Sequence, residues 1–134
     1  MKTGIYGGSF NPIHKGHLTA AMSAAKQLGL DRLFLIPASV PPHKKLSADS
    51  ATARQRLEMA VLATAEMDCK VDVLDIELKR TGKSYTSDTL RELKVKYPDD
   101  ELWLLMGTDM FLSIQTWHEP EVIMSLASIG AFSR

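Results

Sequence analysis

The chain has 134 residues, of which 45% are hydrophobic and 24% are charged, a composition typical of a soluble globular domain. Its 16 basic residues balance its 16 acidic ones, so that the net charge is zero. A neutral chain has no overall field that would attract nucleic acid or an anionic membrane, and no apolar run approaches the ~20 residues needed to cross a bilayer. We expect a single domain over residues 1–134 that binds neither nucleic acid nor a membrane. Any site for an anion would depend on a local group of residues.

Two features predict a cytoplasmic protein. The single cysteine, Cys69, cannot form a disulfide within the chain. The opening residues MKTGIYGGSF contain neither the long apolar region nor the cleavage site of a signal peptide. The oligomeric state cannot be read from these features, and a homo-oligomer stays open.

Apolar runs alternate with helical patterns along the chain. Strands are predicted at 3–6, 33–36, 71–78, 102–106 and 128–132. Helices are predicted at 17–28, 52–67, 84–97, 110–115 and 119–126, the second of them opened by a capping box of Thr52 and Gln55. The inward face of that second helix is predicted to carry Leu57, Ala60, Val61 and Thr64. Residues 38–50 have no periodicity and predict a long loop.

This order predicts an α/β fold with a Rossmann-like, doubly wound parallel sheet and right-handed crossovers. Ligands bind to such sheets at the carboxyl ends of the strands. Three segments rich in glycine, proline or polar residues fall at those ends, namely 7–8, 37–45 and 107–109. The sequence therefore predicts a ligand site that these segments share.

The clearest motif is GGSFNPIHKGH, at residues 7–17. Two glycines after a strand let the backbone approach a ligand closely, and a helix that begins near Gly16 directs free amides and a positive dipole toward the same place. His14 and His17 are three residues apart and can face one phosphate chain. The pattern matches neither the Walker loop nor the dinucleotide fingerprint. A phosphate site is the functional interpretation, and a tight turn with surface histidines is the structural alternative.

Zinc binding is a weaker interpretation of the same residue types. His14, His17, His43, His118 and Cys69 are nominally enough ligands. Their spacing is not that of a zinc finger, and HxGH lacks the glutamate of HExxH.

The HxGH element after a glycine-ended strand resembles the signature of the nucleotidyltransferase superfamily. The longer string GGSFNPIHKGH is similar to that of the bacterial nicotinate-mononucleotide adenylyltransferases, as are PPHK at 41–44, SYTSDTL at 84–90 and GTDMF at 107–111 with the tryptophan that follows at 117. The resemblance runs through nearly the whole chain.

The resemblance implies the following residue roles. His14 and His17 would be catalytic. ATP would be bound by Gly7, Gly8, Ser9, Phe10, His14, Gly16, His17, Gly107 and Asp109. The mononucleotide would be bound by Asn11, Lys44, Thr86 and Trp117.

Most of these side chains also have an ordinary structural interpretation. Lys44 can neutralise a phosphate or can be a solvated lysine. Trp117 can stack on a pyridine ring or belong to the core, whereas Trp103, within an apolar strand, is predicted to be core. Asp109 can accept hydrogen bonds from ribose hydroxyls or cap a helix.

Four further residues leave the same choice open. Thr86 and Ser87 can be substrate contacts or helix caps. Arg54 and Arg56, at the start of a helix, can hold anions or lie on the surface.

The implied reaction is the transfer of the adenylyl group of ATP to nicotinate mononucleotide, with Mg²⁺ held largely by the phosphates and water. The alternatives are another transferase of the superfamily, for pantetheine phosphate or a cytidylyl acceptor, and a non-catalytic nucleotide-binding module. The family carries a further segment with a triphosphate-binding motif, and the sequence ends before it, so this chain is expected to be a C-terminally truncated form. We also expect Ile129 and Phe132, in the last strand, to be partly uncovered.

Overall fold

The structure, a computed structural model, describes residues 1–8, 10, 15–38, 52–65, 70–80 and 85–132. The strands in these ranges are β1 (Lys2–Gly8), β2 (Arg32–Pro37), β3 (Val71–Val73), β4 (Glu101–Gly107) and β5 (Ser128–Phe132). The helices are α1 (Lys15–Leu28), α2 (Ala53–Thr64), α3 (Thr86–Lys96), α4 (Thr108–Leu112) and α5 (Pro120–Leu126), with a 3-10 helix at Ile114–Thr116.

The strands form one parallel sheet of five in the order β3-β2-β1-β4-β5. Each face of the sheet carries its own hydrophobic core. Alternate residues of a strand point to opposite faces, so that Ile5 joins the larger core with Leu90 and Ile123. Its neighbour Tyr6 joins the smaller core with Ala21 of α1. This arrangement confirms the predicted Rossmann-like, doubly wound fold.

The predicted third strand is much shorter than expected. It was predicted over 71–78, but β3 ends at Val73. Leu74 still donates its amide to the Leu35 carbonyl at 2.9 Å, after which the chain turns and buries Ile76 and Glu77. The apolar alternation of this segment comes from that buried turn and not from a longer strand.

The predicted buried face of α2 is wrong in part. The capping box is present, because Gln55 donates its amide to the Thr52 hydroxyl and Thr52 donates its amide to the Gln55 side chain. Ala60 is buried as expected, but Val61 is 51% exposed. Arg56, which was not predicted to face inward, is buried. Arg56 donates from Nη1 to the Ala38 carbonyl at 2.7 Å, and burial lowers the pKa of its guanidinium.

Three aromatic and aliphatic residues are less buried than a core residue usually is. Ile129 and Phe132 are half-buried, which agrees with the partial exposure expected for the last strand. Trp103, predicted as core, is also only half-buried; its indole donates to the Glu101 carboxylate, and the Lys2 ammonium lies 5.4 Å from its ring centre. In the ranges that the structure covers, no helix is long and apolar enough to cross a bilayer.

Candidate functional site

The carboxyl ends of β1, β2 and β4 meet at one edge of the sheet. Gly8 pairs with Pro37 at the ends of β1 and β2, and the Ala38 amide donates to the Gly8 carbonyl at 2.9 Å. Gly107 ends β4 and pairs with Phe132 of β5. The fold therefore brings the first two glycines of the motif, Gly7 and Gly8, to the same edge as the segment after β4, as the sequence predicts.

The two motif glycines differ in the space around them. Gly7 is exposed, and among the described residues a Cβ there would meet only the Ile36 carbonyl oxygen, at 3.6 Å. A Cβ on Gly8 would lie 3.4 Å from the Phe10 ring. The backbone at Gly7 is thus open to a ligand, as expected of a strand end where phosphate approaches.

The start of α1 lies beside an aromatic cluster of Tyr6, Phe10, His17 and Phe132. The His17 ring meets the Phe10 ring edge to face with 5.3 Å between centres, and the Tyr6 ring at 6.3 Å. His17 is half-buried in this setting, whereas Gly16 is exposed. The cluster limits the orientation of the imidazole next to the helix N-terminus, where an anion is favoured.

Phe10 has an unusual backbone conformation with φ 46°. Its side chain is 3% exposed and contacts Tyr6 edge to face at 5.5 Å. Because the ring is buried, any contact between Phe10 and ATP would come from its backbone. The ring itself supports Gly8 and His17.

After β4, Gly107 occupies the N-cap of α4 and Asp109 lies exposed in the first turn. The capping alternative for Asp109 is therefore not observed. Thr108 donates its hydroxyl to the Phe132 carbonyl at 3.2 Å, which ties this turn to β5. The Asp109 carboxylate is exposed at the edge where β4 ends, and there it is able to accept hydrogen bonds.

Trp117 follows the 3-10 helix and is half-buried against the larger core. Its indole nitrogen donates to the Ser113 hydroxyl at 3.4 Å. The side chain thus packs on the core in part, and stacking of its exposed part on a ligand stays a prediction.

The start of α3 does not use Thr86 or Ser87 as a cap. Tyr85 occupies the N-cap and makes no capping bond with its side chain. Ser87 is fully buried and donates its hydroxyl to the Glu119 carboxylate at 3.2 Å. Thr86, which lies between Tyr85 and Ser87 in the sequence, is half-buried.

A group of side chains that sequence reasoning missed joins α3 to the segment after Trp117. Arg91 donates from both terminal nitrogens to the two carboxylate oxygens of Glu119, at 2.7 and 2.8 Å. The hydrogen bonds from Arg91, helped by Ser87 and His118, lower the pKa of Glu119 to about 2. The His118 ring stacks on the Tyr85 ring with 4.1 Å between centres. Residues 85–91 and 117–119 are separated in sequence, so no local pattern could have indicated this contact.

Several predicted residues lie outside the described residues: Ser9, Asn11, His14 and Lys44, together with two members of the zinc alternative, His43 and Cys69. Among the residues that are described, there is no group of three His, Cys, Asp or Glu side chains able to hold a metal ion. Of the two arginines, Arg54 is exposed in an ion pair with Glu58, and Arg56 is the buried one.

A cavity of about 620 Å³ opens between α1 and β5. Gly16, at the start of α1, and Phe132, at the end of β5, both line it. The side of α1 that faces the cavity carries small residues such as Ala20 and Ala24. The candidate phosphate site is therefore continuous with free space along this helix.

The sequence matches the cytidylyltransferase-like family over residues 5–134, and the chain belongs to that family. Within it, the chain is 47% identical over its full length to the probable nicotinate-nucleotide adenylyltransferases of Citrifermentans bemidjiense and Dictyoglomus thermophilum. It spans 61% of the first protein and 67% of the second.

The fold is also that of a solved adenylyltransferase. The structure described as Plasmodium falciparum nicotinic acid mononucleotide adenylyltransferase complexed with NaAD superposes with a TM-score of 0.78. The sequence identity is 17%, and the match covers all of this chain and 76% of the other. This likeness shows that the two chains share one fold.

Proposed function

We propose that the chain is the nucleotide-binding part of a nicotinate-nucleotide adenylyltransferase, which makes nicotinate adenine dinucleotide for NAD synthesis. The observation that carries this proposal is the meeting of open Gly7, His17 and the α1 N-terminus at one sheet edge with the Gly107–Asp109 turn. The similarity to the adenylyltransferases named above supports the choice of substrates. The proposal places the enzyme in the cytoplasm.

In the proposed reaction, a 5′-phosphate oxygen of nicotinate mononucleotide attacks the α-phosphorus of ATP. The bond between the α-phosphorus and the bridging oxygen breaks, and pyrophosphate leaves with that oxygen. Such a transfer depends mainly on alignment of the two anions and on stabilisation of the charge on the phosphates. Mg²⁺ would arrive with ATP, because this ion usually keeps phosphate and water ligands.

The chain's own residues would bind the two substrates, ATP and the mononucleotide. His14, His17 and the α1 amides would stabilise charge on the phosphates, with Gly7, Gly8, Ser9, Phe10 and Gly16 shaping the site. Gly107 and Asp109 would contact the adenosine. The mononucleotide would lie against Asn11, Lys44, Thr86 and Trp117. Half-burial of His17 against two aromatic rings supports a fixed catalytic imidazole, since preorganised donors are the most effective ones.

The proposal is tested by pyrophosphate release from ATP or CTP with a panel of acceptors. The panel contains nicotinate mononucleotide, nicotinamide mononucleotide, pantetheine phosphate and glycerol phosphate. We expect release with ATP and a pyridine mononucleotide. Release only with CTP or only with pantetheine phosphate would replace the proposal by another transferase. Nucleotide binding by calorimetry without any release would identify a non-catalytic binding module.

A further inference from the structure

The Glu119 backbone is in a conformation that its sequence disfavours twice. Its φ and ψ are 52° and 56°, in the left-handed region. That region suits glycine or asparagine, and glutamate adopts it at a cost. The next residue is Pro120, which normally pushes its predecessor toward extended backbone. Something other than local preference must therefore hold Glu119 in place.

The side chain of Glu119 supplies the compensating contacts. Its two oxygens accept a forked pair of hydrogen bonds from Arg91, and one of them also accepts from the buried Ser87. Exposed ion pairs usually contribute little, but a planar two-point arginine–carboxylate contact is the exception. The Glu119 carbonyl in turn accepts from the Val122 amide at 3.0 Å and so starts α5.

These contacts join the two segments that carry the candidate substrate residues Thr86 and Trp117. Ser87 directly follows Thr86 on α3, and Glu119 lies two residues after Trp117. The stacked rings of Tyr85, which precedes Thr86, and His118, which follows Trp117, join the same two segments a second time. The two candidate mononucleotide contacts are thus carried by segments that are fastened to each other.

We propose that Arg91 and Glu119 are positioning residues that hold Trp117 and Thr86 in the relative positions that the mononucleotide requires. This inference rests on the proposed function. It adds the contacts that fix the part of the site where the mononucleotide, the acceptor of the adenylyl group, would bind. Arg91 and Glu119 act through the backbone of 117–119, and Ser87 completes the contact. We call Arg91, Glu119 and Ser87 the acceptor clamp.

The test compares three clamp variants with a matched control. Glu119→Gln removes the charge and keeps the shape, and Arg91→Lys keeps the charge and removes the fork. Glu119→Gly removes the clamp but relieves the left-handed backbone. The control is Asp75→Asn, which breaks the exposed ion pair between Asp75 and Lys79.

One measurement reports the clamp without any ligand. In a Trp103→Phe background Trp117 is the remaining tryptophan, and acrylamide quenching of its fluorescence follows its accessibility. We expect quenching to increase in all three clamp variants and to stay unchanged in Asp75→Asn. Unchanged quenching in Glu119→Gln and Arg91→Lys would overturn the inference, whatever the protein binds.

The second measurement is the affinity for each nucleotide by calorimetry, with thermal unfolding recorded in parallel. We expect the Kd for nicotinate mononucleotide to rise about tenfold in the clamp variants, with the Kd for ATP unchanged. The same loss in Glu119→Gly, at unchanged melting temperature, would show that the clamp acts on binding and not only on folding.

The outcomes separate the two proposals. Increased quenching with unchanged mononucleotide affinity would overturn the clamp's role in binding. If the unmodified protein binds ATP but no pyridine mononucleotide, the proposed function fails, and quenching still shows whether the clamp holds Trp117.

Discussion

Gly7 pairs with Ile36 across the β1–β2 ladder, and the Ile36 carbonyl oxygen is the nearest atom that a Cβ on Gly7 would meet, at 3.6 Å. This is ordinary van der Waals contact. The part of the chain that the structure describes therefore leaves room for a methyl group at a position that the motif fills with glycine. Among the described residues nothing requires glycine there, whereas the proposed phosphate ligand would.

Gly7→Ala is therefore expected to fold normally and to bind ATP more weakly, by about tenfold or more. Alanine in a strand is more favourable than glycine by roughly 0.5–1 kcal/mol, so the melting temperature should not fall. Calorimetric titration with ATP and thermal unfolding measure the two effects. Gly4→Ala is the contrast, since its Cβ would lie 2.5 Å from a Leu30 methyl carbon and should cost stability. Unchanged ATP affinity in Gly7→Ala would contradict the phosphate site.

His17→Ala is expected to lower kcat on the order of 10²-fold or more, with a much smaller change in the KM for ATP, because the imidazole would favour the charge that develops in the transition state. Steady-state pyrophosphate release measures both constants. Gln27→Ala, an exposed change on the same helix, controls for effects on α1 as a whole. A variant with unaltered kcat would remove His17 from the catalytic assignment.

Trp117→Ala is expected to weaken binding of nicotinate mononucleotide by roughly 1–3 kcal/mol, the usual worth of an aromatic stack on a base. Because Trp117 also packs on the core, some loss of thermal stability should accompany the change. Trp117→Phe keeps an aromatic face and should recover most of the affinity. Equal weakening of ATP and mononucleotide binding would indicate a packing role alone.

The ion pair of Glu119 with Arg91 should make folding stability depend on acid pH. Hydrogen bonds from Arg91 lower the pKa of Glu119 from 4.5 to about 2 in the folded protein. A lowered carboxyl pKa adds stability above the unfolded value, and this is lost as the pH falls from about 4.5 toward 2. Urea unfolding at several pH values across this window should show the loss, and Glu119→Gln should reduce the slope.

A second carboxylate, that of Asp100, also makes folding stability depend on acid pH, and a separate variant tests it. Burial opposes ionisation of Asp100, but hydrogen bonds from Arg32 and Thr3 outweigh it and lower the pKa. Asp100→Asn should therefore also reduce the acid dependence, independently of Glu119→Gln. If the stability of Glu119→Gln falls with acid pH as steeply as that of the unmodified protein, the ion pair contributes nothing to folding stability in solution.

The strand–helix order and the shared edge at which the strands end could be predicted because they depend on local patterns. The continuous apolar run at 33–36 and the glycines at 7–8 are each visible within a few residues. The capping box of Thr52 was predictable for the same reason, since both partners lie within one turn.

The features that sequence reasoning missed depend on contacts between distant segments. Arg56 is buried because the Ala38 carbonyl lies within reach of its guanidinium, and no helical pattern predicts a buried arginine in place of Val61. The left-handed Glu119 accepts hydrogen bonds from Arg91, which lies 28 positions away. Tertiary contacts overrode local preference at both places.

The pairing of β1 with β4 also determines when the site can form during synthesis. Lys2 lies opposite Glu101, and the Tyr6 ring beneath His17 touches Phe132 at 5.7 Å between centres. Contacts between such distant residues require the closure of long loops, which slows folding. On the ribosome, a nascent chain would therefore not complete the candidate nucleotide site until β4 and β5 have emerged. Until then its first βαβ unit would expose one side of β1.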